Sequence, residues 1–272
     1  MVDKSEKFTQ LVRVGYFSRA ILYGVLGLIA LTSAEKIGEG TNGVMQAVQD
    51  FPAGTVILWI LVIGLTAYAL FRFASTFFDI EHNGSDGKGW AKRIGHAGSA
   101  LGHLALAWSA YQFATSESGG GSGAGSGSSA GAQQAAAGVL SMSLGPVVLG
   151  IAGLCFIAAA LFQAKKGFTG DFMHRVSSRA PDATRWIGGA GYIARAIVYL
   201  IIGWSLVQAG WLSSSGEVET LGGAIASLSD DGIWFTLVAI GLLLFGVFSL
   251  ILARYRIIPD LDMRGKVPSF RT

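Results

Sequence analysis

The sequence predicts an all-α integral membrane protein, with six transmembrane helices built as three tandem two-helix repeats about a pseudo-threefold axis along the membrane normal. One observation is internal repetition. Gly15-Tyr16-Phe17-Ser18-Arg19-Ala20-Ile21-Leu22-Tyr23 returns as Gly191-Tyr192-Ile193-Ala194-Arg195-Ala196-Ile197-Val198-Tyr199, with a weaker copy, Gly95-His96-Ala97-Gly98-Ser99-Ala100-Leu101-Gly102-His103, between them. A second is the scarcity of charge: 51% of residues are hydrophobic and 14% charged, with a mean hydropathy of +0.52. Soluble domains carry about 25% charged residues, so this chain lacks the charge to cover a water-facing surface. The third is that lysine and arginine alternate between loops, as crossing helices require.

The repeats extend beyond the motif. Gly27, Ala107 and Gly203 fall in one register, as do Trp108-Ser109 with Trp204-Ser205 and Gln112 with Gln208. Glycine, aromatic, arginine and aromatic at intervals of three and four share one helical stripe, and in lipid small residues let backbones approach. No Asp, Glu, Lys or Arg occurs in 51–71, 94–116, 196–216 or 232–253. Crossing the hydrocarbon takes about 20 apolar residues at helical rise.

In chain order, the polar start to Arg13 leads into a first span over 14–33. Thr32-Ser33-Ala34 resembles a signal-peptidase site, but the same motif opening a unit deep in the chain argues for a retained helix. The second span covers 54–77, closing a first repeat over 1–80. Repeat two, 81–170, holds spans 95–115 and 144–164, separated by a Gly/Ser-rich outer loop, 116–132, with the composition of a flexible linker. The Gly-x-Gly-x-x-Ala match at 125–130 has no strand before it and is no nucleotide fingerprint. Repeat three, 171–272, holds spans 189–212 and 233–253 and a basic tail. Short apolar stretches at 44–48, 135–140 and 221–228 precede each second span, either interfacial helices capping their hairpins or re-entrant elements.

Of the basic residues, only Lys36 lies in the loops after spans one, three and five, which hold Glu35, Glu39, Asp50, Glu117, Glu217, Glu219, Asp230 and Asp231. The positive-inside rule therefore puts both termini in the cytoplasm. The net charge of +3 is spread rather than patched, so nucleic acid is not an expected partner. Cys155, the only cysteine, lies in an apolar run and reads as a buried inert thiol.

The Gly-Tyr-x-x-Arg-x-x-x-Tyr opening is one signature. Another is Gly43 to Val48 leading into Gly64-Leu65-x-x-Tyr68-x-x-Phe71-Arg72. Together they resemble the bacterial membrane family termed domain of unknown function 1206. The resemblance implies three tandem two-helix units in a bacterial inner membrane and no established activity. Unit two departs from it, with His96, Ser99 and His103 in place of Tyr, Arg and Tyr.

Arg19 and Arg195 occupy matched positions, and a charge within a span is costly and often functional. Both lie near the cytoplasmic ends of their helices, where arginine can snorkel to phosphate or water. The sequence favours a snorkelling or structural role; the alternative is an anion or lipid-headgroup contact shared by the two matched helices. Arg72 reads as an anchor. His96 and His103 share a helical face but find no histidine in another span, so they read as stand-ins for aromatics rather than metal ligands. Gly15, Tyr16, Tyr23 and Gly27 form the packing stripe of repeat one; Gly95, with the two histidines, forms that of repeat two. Gly191, Tyr192, Tyr199 and Gly203 form that of repeat three.

No Asp or Glu lies within a predicted span, and no nucleophile, acid/base or phosphate-binding motif occurs, so neither catalysis nor a cofactor is expected. The predicted function is that of a non-enzymatic membrane protein that packs against, assembles or stabilises other membrane components. The alternative is a binding site or passage for a small or lipidic solute at the bundle centre. Its partners are then the lipid bilayer and other membrane proteins; no feature specifies an oligomeric state.

Overall fold

The computed structural model describes residues 4–32, 40–50, 52–79, 84–115, 129–219, 221–228 and 232–258. Among these residues there are nine α-helices, two 3₁₀ turns and one isolated backbone bridge. The helices are α1 (Lys4–Thr32), α2 (Gly40–Asp50), α3 (Gly54–Phe77), α4 (Gly87–Thr115), α5 (Ser129–Leu140), α6 (Gly145–Thr169), α7 (Thr184–Leu212), α8 (Leu221–Ala226) and α9 (Ile233–Tyr255).

Among the described residues five helices are long and apolar enough to cross a membrane: α1 over Val12–Thr32, α3, α6, α7 and α9. Of the six expected spans, the third lies in α4, whose 29 residues are ample in length. His96, Ser99, His103, Ser109 and Gln112 hold its hydropathy below that of the other five. Residues 116–128 of the expected Gly/Ser linker lie outside the described residues, and 129–132 belong to α5 rather than to a loop. Gly170 ends α6 with φ of 72°, in the left-handed region that favours glycine, and its N–H bonds back to the Lys166 carbonyl.

The long helices pack side by side in the order α4, α3, α1, α9, α7, α6. Neighbours run antiparallel, because contacts between the start of one and the end of the next pair in reverse order. Trp59 meets Tyr111 and Thr76 meets Arg93 across α3 and α4; Gly27 meets Leu243 and Gly15 meets Tyr68 across the α1 interfaces. Glycines set these distances. A Cβ on Gly27 would stand 2.7 Å from the Leu243 nitrogen, and one on Gly203 would stand 2.9 Å from the Gly153 oxygen. Such backbone contact is how helices associate in lipid, where burial of apolar surface supplies no driving force.

Each first helix packs against the second helix of the preceding repeat: α1 on α9, α4 on α3, α7 on α6. Within a repeat, α1 packs on α3 and α7 on α9. The remaining pair, α4 and α6, do not pack side by side. Built Cβ atoms on Gly95, Gly98 and Gly102 of α4 would meet nothing within 4 Å. Only 17% of the most apolar stretch of α6 is covered.

The short helices close one end of the bundle. α2 buries Val44, Met45 and Val48 among α1, α3 and α4, and α8 buries Ala224 and Ile225 and touches α2. Within the apolar stretches before the second spans of repeats one and three, Val44, Met45, Val48, Ala224 and Ile225 are thus covered by protein.

Candidate functional site

The inward faces of α1, α3, α4, α7 and α9 converge on a cluster of arginines and aromatic rings. Tyr16, Arg19 and Tyr23 follow one another at helical spacing along α1, so a single face carries all of them. The Arg19 Cζ lies 4.6 Å from the Tyr16 ring centroid, 4.9 Å from Phe245 on α9 and 5.3 Å from Tyr68 on α3. Its Nε donates to Ser249 Oγ at 3.0 Å and its Nη1 to the Tyr68 hydroxyl at 2.9 Å. Arg195 on α7 lies against the same Phe245 ring at 4.5 Å, with Tyr199 at 5.0 Å and Tyr23 at 5.3 Å. Its Nη2 donates to the Tyr199 hydroxyl, and its buried Nε has no hydrogen-bond partner among the described residues.

The two guanidinium groups therefore flank one benzene ring. Arg19 is 5% exposed and Arg195 9%. Neither snorkels. Of the snorkelling and structural readings the structural one describes them, because Arg19 turns toward α3 and α9 and Arg195 toward α1 and α9, across helix interfaces rather than along the helix axis to the surface. Desolvated guanidinium groups over π faces gain about 2 kcal/mol per contact, which offsets part of their burial. Among the described residues the buried polar set contains these two arginines, His103 and hydroxyl side chains, but no carboxylate.

Arg72 is not an outward anchor either. Its Nε and Nη2 donate to the Tyr68 hydroxyl at 2.9 and 2.6 Å, and its Nη1 donates to His96 Nδ1 at 2.9 Å. Counting Arg19, three N–H groups converge on one phenol oxygen. Because arginine only donates, His96 accepts at Nδ1 and carries its proton on Nε2. His103 has the opposite tautomer, its Nδ1–H donating to the Ser99 carbonyl at 2.6 Å. Among the described residues no group of histidine, cysteine, aspartate and glutamate could hold a metal.

Comparing repeats explains the histidines. The last motif residue always meets the second helix of the preceding repeat: Tyr23 against Phe245 at 4.9 Å, His103 against Tyr68 at 4.5 Å, Tyr199 against Phe156 at 5.7 Å. His103 thus takes an aromatic's place. The first aromatic meets the second helix of its own repeat, Tyr16 against Tyr68 and Tyr192 against Phe245, both at 5.5 Å. His96 instead reaches back to Arg72 of repeat one.

The second helices show why. Gly64, Tyr68, Phe71 and Arg72 of α3 match Gly241, Phe245, Phe248 and Ser249 of α9. With Leu161-Phe162-Gln163 set against Leu70-Phe71-Arg72, the corresponding residues of α6 are Cys155, Ala159, Phe162 and Gln163. Repeats one and three insert an aromatic ring at the centre; repeat two offers Ala159. Phe71 and Phe248 are 3% and 0% exposed, whereas Phe162 is 67% exposed. Gly64 abuts Ser18 and Gly241 abuts Ala194, yet the matching pair, Gly98 and Cys155, is apart. Cys155 is exposed, contrary to the buried thiol expected, because the helix that should cover it is missing from that side.

The sequence singled out Arg19, Arg195 and both histidines; it passed over Tyr68, Arg72, Phe245 and Ser249 as members of the cluster. The signal was the second-helix spacing, written in α3 and again in α9.

Fold and cluster define an α-helical membrane protein assembled from repeated two-helix units, with a cationic and aromatic centre. The chain belongs to the family described as Domain of Unknown Function (DUF1206), whose profile matches three segments, 14–79, 94–170 and 190–256. It is 28% identical over 254 residues to "Uncharacterized protein YxxB" of Bacillus subtilis (strain 168), covering 90% of each chain. No solved structure matches it.

Proposed function

We propose that this is a non-enzymatic assembly protein of the bacterial plasma membrane, which receives a transmembrane helix of another membrane protein in the seam between α4 and α6. The observation that carries the proposal is the open glycine face of α4. Gly15 and Gly191 each seat the second helix of their own hairpin, with a built Cβ 2.9 Å from Tyr68 Cα and 2.8 Å from Phe245 Cα. Gly95 holds the same register with nothing within 4 Å. A face that twice receives a helix inside this chain is shaped for a helix from outside it.

The reading takes α4 as a sixth crossing, arranged with the other five on a threefold plan opened at one seam. α4 runs beside α3 from the Thr76–Arg93 hydrogen bond to the Trp59–Tyr111 ring contact. At helical rise those rows span about 25 Å, most of the hydrocarbon thickness. With six crossings both termini share one side, which the lysine and arginine distribution makes cytoplasmic. The packed centre favours assembly over solute passage: Tyr16, Tyr68, Phe245 and Phe248 are at most 1% exposed.

The test is a photo-crosslinking residue at position 98, activated in native membranes. A discrete protein adduct is expected, abolished by Gly102→Leu. An adduct of twice the chain's mass would identify the partner helix as that of a second copy. Lipid adducts alone would overturn the proposal, as would the same adducts from position 200, a leucine that is 48% exposed on α7.

A further inference from the structure

At the bundle end where α1 begins and α9 finishes, the chain builds a second basic feature, separate from the buried cluster and from the seam. Two segments distant in sequence are joined there by backbone pairing. Ser177 N–H bonds to the Tyr255 carbonyl at 2.8 Å and Ile257 N–H to the Arg175 carbonyl at 3.0 Å, around the Val176–Arg256 bridge. The pairing brings Ser177 and Arg179 beside Arg254, Tyr255 and Arg256, and Arg13 of α1 completes the ring of residues. They line an open depression of about 380 Å³ with four arginines in its wall.

A second open depression of about 410 Å³ shares Arg13, Arg254 and Tyr255 with the first. Its other walls are Leu250, Ile251 and Ala253, on a face of α9 where Leu250 is 50% exposed. Among the described residues that line the two depressions there is no carboxylate. A basic compartment that opens into an apolar trough along a spanning helix has the polarity of an amphiphile: an anionic head with an acyl chain below it.

We propose that this paired depression is a binding site for an anionic phospholipid of the adjoining leaflet. Its phosphate sits among Arg13, Arg179 and Arg254, and an acyl chain lies along Leu250 and Ile251. Guanidinium forks suit phosphate oxygens, which they bind through paired N–H groups. Basic pockets at the charged end of a helical bundle are where anionic headgroups dock. Arg256 also lies over the Tyr16 ring at 5.0 Å, so an occupied pocket would bear on the central cluster through one side chain.

The test uses the full chain, purified in mild detergent and titrated with phosphatidylglycerol, with phosphatidylcholine and with inorganic phosphate. The readouts are the thermal transition and lipid retained in native mass spectrometry. Phosphatidylglycerol is expected to stabilise the protein where phosphatidylcholine does not. Arg179→Gln with Arg254→Gln should weaken that effect at least tenfold, whereas Lys88→Gln with Lys92→Gln, exposed at the start of α4, should not. If the glutamine pair fails to fold, Arg179→Lys with Arg254→Lys keeps charge, loses the fork, and should still weaken binding. Equal loss from the control pair would reduce the effect to bulk surface charge and overturn the site. Inorganic phosphate matching phosphatidylglycerol would assign the pocket to a soluble phosphate and overturn the lipid proposal.

Discussion

Replacing Gly27 with alanine adds one methyl group where its carbon would stand 2.7 Å from the Leu243 nitrogen and 2.9 Å from the Ala239 carbonyl oxygen. Both are backbone atoms of α9, so no rotamer change relieves the clash. To reach ordinary contact at 3.4 Å or more, α1 and α9 must separate by over half an ångström at that point. The same movement loosens Gly246 from the Gly24 nitrogen and stretches the 3.0 Å bond from Arg19 to Ser249. Overpacking of this kind costs about 1–3 kcal/mol, and several interactions are disturbed together, which places Gly27→Ala toward the upper end. Gly98→Ala is its partner experiment: the added methyl meets nothing within 4 Å, and alanine is a better helix former by up to about 1 kcal/mol in water. The assay is thermal unfolding in mild detergent, read as loss of the monodisperse species. Gly27→Ala should lower the transition by several degrees, and Gly98→Ala should leave it unchanged or raise it. Equal losses at both positions would refute the account of an open α4 face.

Other outcomes follow from the cluster and the loop between α7 and α8. Arg19→Lys should cost about 1–3 kcal/mol of stability, because an ammonium cannot reach Ser249 and Tyr68 together while stacking on Phe245; an unchanged transition would restore the snorkelling reading. Tyr68→Phe removes the acceptor of three arginine N–H groups and should destabilise by about 1.5–3 kcal/mol. Adding Arg72→Gln should recover part of that loss, and strict additivity would contradict the shared network. Burial, with the nearby Glu217 charge adding to it, raises the Glu219 carboxyl above its ordinary range. The folded loop therefore holds that proton more tightly than the unfolded chain does, so this contribution is largest at low pH and declines as pH rises through the raised value. Hydrogen exchange at the Glu219 amide, bonded to Ser205 Oγ, should slow on acidification beyond the intrinsic rate change, and Glu219→Gln should abolish that dependence.

The elements were largely legible because apolar windows and loop charges act locally. The second span was expected over 54–77, and α3 occupies Gly54–Phe77. The role of Arg19 was not legible. Sequence gives a residue's depth along its helix, but the choice between snorkelling and burial depends on which neighbour lies across the interface. That neighbour is Phe245, 226 residues away, brought there because α1 closes on α9 of the last repeat rather than only on its own hairpin. The seam is half visible. His96 departs from the motif openly, but the replacement of Tyr68 and Phe245 by Ala159 acquires meaning only once the second helices are superposed. Polar residues lower the hydropathy of α4 for the same reason: His96 and His103 serve Arg72 and Tyr68, inside the bundle.

The most direct test of the open seam uses the chain's own cysteine. Ser18 with Gly64, and Ala194 with Gly241, are touching pairs in repeats one and three; their counterpart in repeat two is Gly98 with Cys155. A disulfide needs Cβ atoms about 3.5–4.5 Å apart, and a Cβ at position 98 has no neighbour within 4 Å. Membranes containing Gly98→Cys beside native Cys155 should therefore form no intramolecular disulfide under mild oxidation. Rapid, complete formation of that disulfide would mean that α4 and α6 close the ring, leaving no seat for a partner helix.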